Sequence, residues 1–169
     1  MWGKLRRLFR HRWLDEHDAR RAVPPDMVQR LMQRVAASER RHSGEIRIHV
    51  EAGLPLSYLW RGATARERAV ALFGKLRVWD TEHNNGVLIY LLLAEHAIEL
   101  VADRGVNRHV PQHEWQAMVH RMGAAFRDGR FEDGLTQALE EVSAVLVQHF
   151  PLAEGTANPN ELPDEPSVG

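Results

Sequence analysis

The sequence predicts an α/β fold, in which helices cover both faces of a small mixed sheet of three to four strands. The main observation is an unbroken apolar run from Val87 to Leu93, which is too short to cross a bilayer and follows the turn signal Asn84-Asn85-Gly86. Such a run is typical of a strand buried on both faces. A buried helix is disfavoured, because a second strand-like run from Ala97 to Val101 comes almost directly after it. Amphipathic segments elsewhere can supply the two helical layers.

The composition indicates one soluble domain with tails. The chain has 169 residues, 44% of them hydrophobic and 27% charged, and a net charge of −1. This size allows a real core, and the charge balance gives no indication of a nucleic-acid partner. The absence of cysteine excludes disulfides, thiolate catalysis and zinc–thiolate sites. No apolar signal-peptide segment follows the basic N-terminus, so we expect a cytoplasmic protein.

Residues 1–23 are predicted to be a basic N-terminal arm. Its apolar side chains have the spacing of an amphipathic helix: Trp2, Leu5, Leu8, Phe9 and Trp13. Its basic side chains are Lys4, Arg6, Arg7, Arg10, Arg12, Arg20 and Arg21. Such a helix can lie on an anionic membrane, which would make the protein membrane-peripheral, or dock on its own domain. A solvated arm is the third alternative.

The domain itself is predicted to span residues 24–151 and to begin with a helix that proline opens at Pro24-Pro25. Its polar face, which includes Glu39, is interpreted as solvated. Residues 45–50 alternate polar and apolar side chains, which indicates a half-buried strand. Thr64 and Glu67 then form a capping box at the start of a second helix. Strand, helix and central strand make a βαβ unit, so the two strands should be parallel.

The chain should turn back near Glu95-His96, which makes the third strand antiparallel to the second. Two amphipathic helices follow, one around residues 115–126 and one from Phe131 to Pro151. Residues 152–169 form an acidic, proline-rich tail. We expect this tail to be poorly ordered unless it docks on the arginine-rich N-terminal half.

Several short motifs, in this order and spacing, resemble the short, anchor-free branch of the TPM-domain family. They are Ser43-Gly44-Glu45-Ile46-Arg47-Ile48-His49-Val50, Asn85-Gly86-Val87-Leu88-Ile89-Tyr90, Asp103-Arg104-Gly105-Val106, Glu114-Trp115, His149-Phe150-Pro151 and Asn160-Glu161-Leu162-Pro163-Asp164. The resemblance covers roughly residues 25–164 and implies a three-layer α/β/α sandwich. It also implies calcium binding, as in some members, and a phosphatase activity claimed for a plant member.

The predicted topology brings the starts of the first two strands and the end of the third to one end of the sheet, where a metal site is predicted. The expected ligands are Asp80, Asn84, Asp103 and Glu114, with Glu45, Glu82 and His83 as secondary candidates. Carboxylate and amide oxygens suit calcium, with magnesium as the alternative. The same residues have structural interpretations, since Asp103 can cap a turn and Glu114 suits the first turn of a helix.

One departure from the family pattern affects this site. The short branch often carries an acidic residue two positions before the Asn-Gly pair, where this chain has His83. Calcium affinity should therefore be weakened. His83, His109 and His113 could bind a transition metal instead, although scattered surface histidines are the simpler interpretation.

The sequence offers little for catalysis. It has no nucleophile elbow, no phosphate-binding glycine loop and no His-Glu-x-x-His motif, so we predict neither catalytic residues nor an organic cofactor. The favoured function is a non-enzymatic interaction or accessory domain, with an unidentified protein partner and a divalent cation. The alternative is a weak metal-dependent phosphatase, for which Asp80, Asp103 and Glu114 are the only candidate cluster.

Overall fold

The computed structural model describes residues 2–169 of the chain. Within these residues the helices are α1 (Trp2–Trp13), α2 (Glu16–Ala22), α3 (Pro25–Glu39), α4 (Leu56–Trp60), α5 (Ala65–Lys75), α6 (Arg104–Asn107), α7 (Gln112–Arg127) and α8 (Phe131–His149). The strands are β1 (Glu45–Glu51), β2 (Gly86–Leu92), β3 (Ala97–Ala102) and β4 (Ser167–Val168). None of the helices in this part of the chain combines the length and apolar character that a membrane-spanning segment needs.

The four strands form one mixed sheet in the order β3-β2-β1-β4. β1 and β2 are parallel, with Glu45 opposite Gly86 and Glu51 opposite Leu92. β3 returns antiparallel to β2 after a short 3-10 turn, in which His96 adopts a left-handed conformation with φ 47°. The predicted parallel pair and antiparallel return are therefore confirmed.

Helices cover both faces of the sheet and create two separate hydrophobic clusters. Ile46, Ile48 and Val50 of β1 face one way and pack with residues of α2, α3, α7 and α8. Leu88 and Tyr90 of β2 face the other way and pack with residues of α5. Every residue of β2 is buried, as the apolar run predicted. The three-layer α/β/α sandwich is confirmed.

The N-terminal segment forms two helices, and both lie against the domain. Ala19 and Val23 belong to the core, with 0% and 1% of their surface exposed. α1 docks through His11, whose Nδ1 accepts a hydrogen bond from the backbone N–H of Leu54 at 3.0 Å. Among residues 2–169, no ion pair joins a basic residue of α1 to the acidic tail. Docking on its own domain is thus the alternative that the structure supports for this segment.

The C-terminal tail also docks, and it adds a strand that the sequence did not predict. Ser167 and Val168 pair in parallel with His49 and Val50 of β1. Arg47 helps to hold the tail, because its Nη1 donates to two backbone carbonyls, at 2.9 Å to Pro163 and 2.7 Å to Glu165. A two-residue strand is too short to show the alternating pattern by which strands are recognised in sequences.

Candidate functional site

Three buried oxygens without hydrogen-bond partners mark one end of the sheet. Within residues 2–169, the buried side-chain nitrogen and oxygen atoms that lack a partner are Glu45 Oε1, Asn85 Oδ1 and Asp103 Oδ2. Glu45 and Asn85 are 0% exposed, and Asp103 is 8% exposed. Because a buried polar atom without a partner costs about 1–3 kcal/mol, each of the three oxygens needs an explanation.

Backbone hydrogen bonds bring these three residues to the same end of the sheet. The N–H of Glu45 donates to the carbonyl of Asn85 at 3.4 Å, and the N–H of Asp103 donates to the carbonyl of Gly86 at 2.9 Å. Glu45 opens β1, Asn85 precedes β2 and Asp103 follows β3. The arrangement places the residues in the order β1, β2, β3 across the sheet, as the predicted topology required.

Glu45 lies in an acidic environment. Its Oε2 accepts from the backbone N–H of Leu162 at 3.1 Å. Burial raises the pKa of Glu45, and the negative charges of Glu161 and Asp164 raise it further. Burial also raises the pKa of Glu39 to about 9, with Glu45 and Asp164 adding to the shift. No basic side chain is among the main causes of either shift, and within residues 2–169 no ion pair joins this acidic cluster (Glu39, Glu45, Asp164) to a basic residue.

A cavity of about 280 Å³ adjoins the acidic cluster. Glu39 and Asp164 line it, together with Asn158 and Asn160 of the tail. The amide of Asn158 holds the tail in place, because its Nδ2 donates to the carbonyls of Glu39, His42 and Gly44 at 3.1–3.3 Å. The lining thus combines carboxylate and amide groups with the side chain of Arg40.

Asp103 has two roles at once. Its Oδ1 accepts from the backbone N–H of Arg104 at 2.7 Å and caps α6, as the structural interpretation expected. Its Oδ2 is one of the three oxygens without a partner. Asp103 thus keeps one buried oxygen that a ligand could use.

The other predicted ligands are exposed to solvent. Asp80 is exposed and pairs with Arg77 at 3.0 Å. Glu114 is exposed in the first turn of α7. Asn84 is exposed and adopts a left-handed conformation with φ 51°. In the part of the chain that the structure describes, no three His, Asp or Glu side chains are grouped closely enough to hold a metal ion. Asp80, Asp103 and Glu114 therefore do not converge.

The secondary candidates also separate. Glu45 is central to the site, whereas Glu82 and His83 are exposed. The ring of His109 stacks on that of His149 at 4.6 Å. His83, His109 and His113 do not form a three-ligand group either, as no such group exists within residues 2–169, so the transition-metal alternative is not supported.

Sequence reasoning missed Glu39 and Asp164. The helical pattern assigns Glu39 to a solvated face, but the residue is 5% exposed and its Oε1 accepts from the backbone N–H of Ile46 at 2.9 Å. This correction has a physical cause, since the tail covers the end of α3 and Asn158 bonds to the Glu39 carbonyl. Helical periodicity within α3 alone could not reveal a cover supplied by a distant segment.

Glu39 leads to a testable pH dependence of stability. Its carboxyl titrates at about 9 in the folded chain and near 4.5 in the unfolded chain. Between these values the folded state holds a proton that the unfolded state has released, so stability falls as the pH rises, by up to about 1.4 kcal/mol per pH unit. We expect Glu39→Gln, which cannot ionise, to flatten the dependence in urea unfolding curves recorded above about pH 7.5.

The pH range for this measurement follows from two buried histidines. Burial lowers the pKa of His42 and of His49 from 6.5 to about 4, so their contributions to stability are lost as the pH falls from 6.5 to 4. Above about pH 7.5, one unit above the ordinary histidine pKa, both rings are essentially neutral in either state. A slope that Glu39→Gln leaves unchanged there would show that another group is responsible.

Comparisons with known proteins agree with this architecture. The sequence profile of the TPM domain matches residues 17–145. The structure is similar to the NMR structure of the BA42 protein from the psychrophilic bacterium Bizionia argentinensis, with 26% identity, a TM-score of 0.71, and coverage of 85% of this chain and 93% of that one. It also resembles the N-terminal domain of a P. gingivalis protein, with 20% identity, a TM-score of 0.58, and coverage of 72% and 76%. A search of curated proteins gave no match.

Proposed function

Because the chain belongs to the TPM-domain family, we propose that it is a non-enzymatic accessory domain that binds a divalent cation, calcium in preference to magnesium, at the end of the sheet where β1 and β2 begin. One observation carries the proposal. The carboxylate of Glu45 is fully buried, keeps one oxygen without a partner and has only acidic neighbours among the charges that shift its pKa. A cation would supply the missing positive charge.

The residues at this end suit such an ion. Glu45 would hold it, with Glu39, Asp164 and the amide oxygen of Asn85 as candidate further ligands. Because no three acidic side chains of residues 2–169 are grouped closely enough to hold an ion as they stand, the Glu39 and Asp164 carboxylates would have to move toward it. All are hard ligands of the type that calcium and magnesium prefer. Calcium is favoured because it accepts irregular sets of six to eight oxygens, including amide and backbone carbonyls, whereas magnesium requires a nearly ideal octahedron.

Asp103 lies two strands away from Glu45, at a spacing of roughly 10 Å for three adjacent strands. Gly86 stands between them in the register. One ion bound by Glu45 is therefore not expected to contact Asp103 directly. This separation makes the two residues useful as independent tests of where the ion binds.

The fold also contains a serine and a histidine at hydrogen-bond distance, which could be taken for a catalytic pair. The hydroxyl of Ser38 lies 2.8 Å from His42 Nε2, and His42 Nδ1 lies 3.0 Å from the Gly44 carbonyl. However, Ser38 and His42 are 3% and 0% exposed. Ser38 also contacts the hydroxyl of Ser143 at 2.5 Å. These contacts support a structural role, in which the group ties α3 to α8.

We expect calcium to raise the melting temperature of the chain. A ligand that binds only the folded state stabilises it by about 2.7 kcal/mol at 100 times its Kd, which corresponds to roughly 5–10 °C for a chain of this size. The shift should be larger above pH 7, because the ion must replace the proton on Glu39. Glu45→Gln should abolish the shift, whereas the control Glu140→Gln, an exposed carboxylate on α8, should leave it unchanged.

Two results would contradict this proposal. A melting temperature that does not respond to millimolar calcium would exclude the ion. A shift that survives in Glu45→Gln but disappears in Asp103→Asn would move the site to the α6 side of the sheet. An NMR titration with calcium adds a direct readout, since the amide signals of residues 44–46 and 160–164 should move first.

The same preparations test the phosphatase alternative. The purified chain should hydrolyse a generic phosphate ester no faster than the background, with or without calcium or magnesium. Metal-dependent turnover that follows the protein through purification and is lost in Asp103→Asn, while the melting temperature of that variant is normal, would make the enzyme the better interpretation.

A further inference from the structure

The outer face of α1 exposes large apolar side chains in a regular row. Leu5, Phe9 and Trp13 are 49%, 59% and 82% exposed, and they recur every four residues. Residues with this spacing lie on one side of a helix. An apolar row of this kind on a helix that is already docked needs a second contact to cover it.

The opposite side of α1 is fixed to the domain. Arg7 donates to the carbonyl of Ala63 at 2.6 Å and to Glu95 at 2.7 Å. His11 Nε2 donates to the same carboxylate of Glu95 at 2.9 Å, since its Nδ1 accepts from Leu54. Positions 7 and 11 are about half a helical turn from positions 5, 9 and 13. Docking therefore holds the apolar row pointing outward.

The neighbouring helix α4 adds two more exposed apolar residues. Leu56 is 53% exposed and Trp60 is 76% exposed. α4 lies in the segment between Leu54 and Ala63, and both of these residues form hydrogen bonds with α1, so this segment is held close to α1. Among residues 3–169, most of the exposed large hydrophobic side chains therefore lie on these two neighbouring segments. We call them together the apolar face: Leu5, Phe9, Trp13, Leu56 and Trp60.

Basic residues surround the apolar face. Residues 2–13 contain five basic residues and no acidic one, and Lys4, Arg6, Arg10 and Arg12 are exposed. Arg61 follows α4 and is also exposed. Arg7 is the exception, because Glu95 neutralises it. Aromatic and aliphatic side chains set among exposed cations match the chemistry of a bilayer surface that contains anionic lipids.

We propose that α1 and α4 form a docking surface for the headgroup region of an anionic phospholipid bilayer. The positive charge of α1 favours a bilayer over a second copy of the chain as the occupant of this surface. A two-fold dimer through the apolar face would bring two α1 helices together, and their cations would repel each other. Anionic headgroups would instead attract both helices, while Leu5, Phe9, Trp13 and Trp60 enter the interfacial region.

Sedimentation with vesicles tests the proposal, with the full chain in the presence of EDTA so that calcium cannot bridge protein and lipid. The chain should pellet with phosphatidylcholine vesicles that contain phosphatidylserine and stay in solution with pure phosphatidylcholine. The double variant Phe9→Ser/Trp13→Ser should bind at least about tenfold more weakly. Trp79→Ser is the control. It removes a 48% exposed tryptophan that follows the C-terminal end of α5, outside the apolar face, and should bind like the parent.

Further measurements exclude trivial explanations. Both variants should melt like the parent chain, since the replaced side chains are exposed. The tryptophan emission of the parent should shift to the blue on binding, because Trp13 and Trp60 leave water. The proposal is overturned if the parent does not bind the anionic vesicles, or if the double variant binds them as well as the parent. It is also overturned if light scattering shows a dimer that the double variant abolishes and lipid binding is absent.

Discussion

Gly86→Ala is expected to destabilise the chain by about 3 kcal/mol or more, which is a large fraction of the stability of a typical domain. Gly86 opens the central strand, and a Cβ atom there would overlap the backbone carbonyl oxygen of Val78. Val78 is 0% exposed, so its backbone cannot move aside into solvent. The strand and the segment before it would have to separate, although β2 is the strand on which both core clusters depend.

Urea unfolding of Gly86→Ala and Gly74→Ala measures this effect against a matched control. Gly74 lies inside α5 and a Cβ atom there meets nothing within 4 Å. Alanine at position 74 should therefore stabilise the chain by about 0.5–1 kcal/mol, because glycine is a poor helix former. If both substitutions had the same small effect, close packing of Val78 on Gly86 would not be important for the fold.

Glu51→Ala is expected to cost about 3–5 kcal/mol. Glu51 is 9% exposed and accepts three hydrogen bonds, two from Arg68 at 2.6 and 3.0 Å and one from the Tyr90 hydroxyl at 2.7 Å. Burial raises the pKa of Tyr90, so its hydroxyl keeps its proton and acts as a donor. Removing the carboxylate leaves a guanidinium and a hydroxyl in the protein interior without their partner. Loss of one partner of a buried ion pair is strongly destabilising for this reason.

A surface pair of the same type provides the control. Arg30 and Glu132 also form a two-pronged contact, at 2.7 and 2.8 Å, but their side chains are 44% and 29% exposed. Glu132→Ala should cost less than about 1 kcal/mol, since water can replace the lost partner. Equal losses for Glu51→Ala and Glu132→Ala in urea unfolding would show that burial of the Glu51 pair adds nothing.

The sequence predicted the fold where local pattern and burial agree. The apolar run of β2 and the alternation of β1 each follow from one local signal, and the turn at His96 makes β3 antiparallel. Ser167 and Val168 gave no such signal, because their strand exists only through pairing with β1. Burial of Ala19 and Val23 likewise depends on contacts with distant elements, which residues 1–23 do not encode locally.

The candidate site was predicted in its position but only partly in its members. Topology alone brings Glu45 and Asp103 to one end of the sheet, and both have a buried oxygen without a partner. Asp80 instead pairs with Arg77, because the two lie three positions apart and the loop allows the contact. Glu39 and Asp164 become part of the acidic cluster only when the tail folds over the end of α3. No motif in the sequence predicts this contact between the tail and α3.

The docked tail also determines how the sheet ends. On the β1 side the outer edge is occupied by β4 and by the carbonyls that Arg47 binds, and on the β3 side Arg66 donates to the Leu100 carbonyl at 2.5 Å. β4 thus covers the β1 edge at His49 and Val50, and on β3 the Leu100 carbonyl is occupied by Arg66. Proteolytic cleavage near residue 155 would release the closure of β1 and leave an open edge that can pair with another chain. The tail therefore protects the domain against strand exchange and aggregation, independently of any ligand.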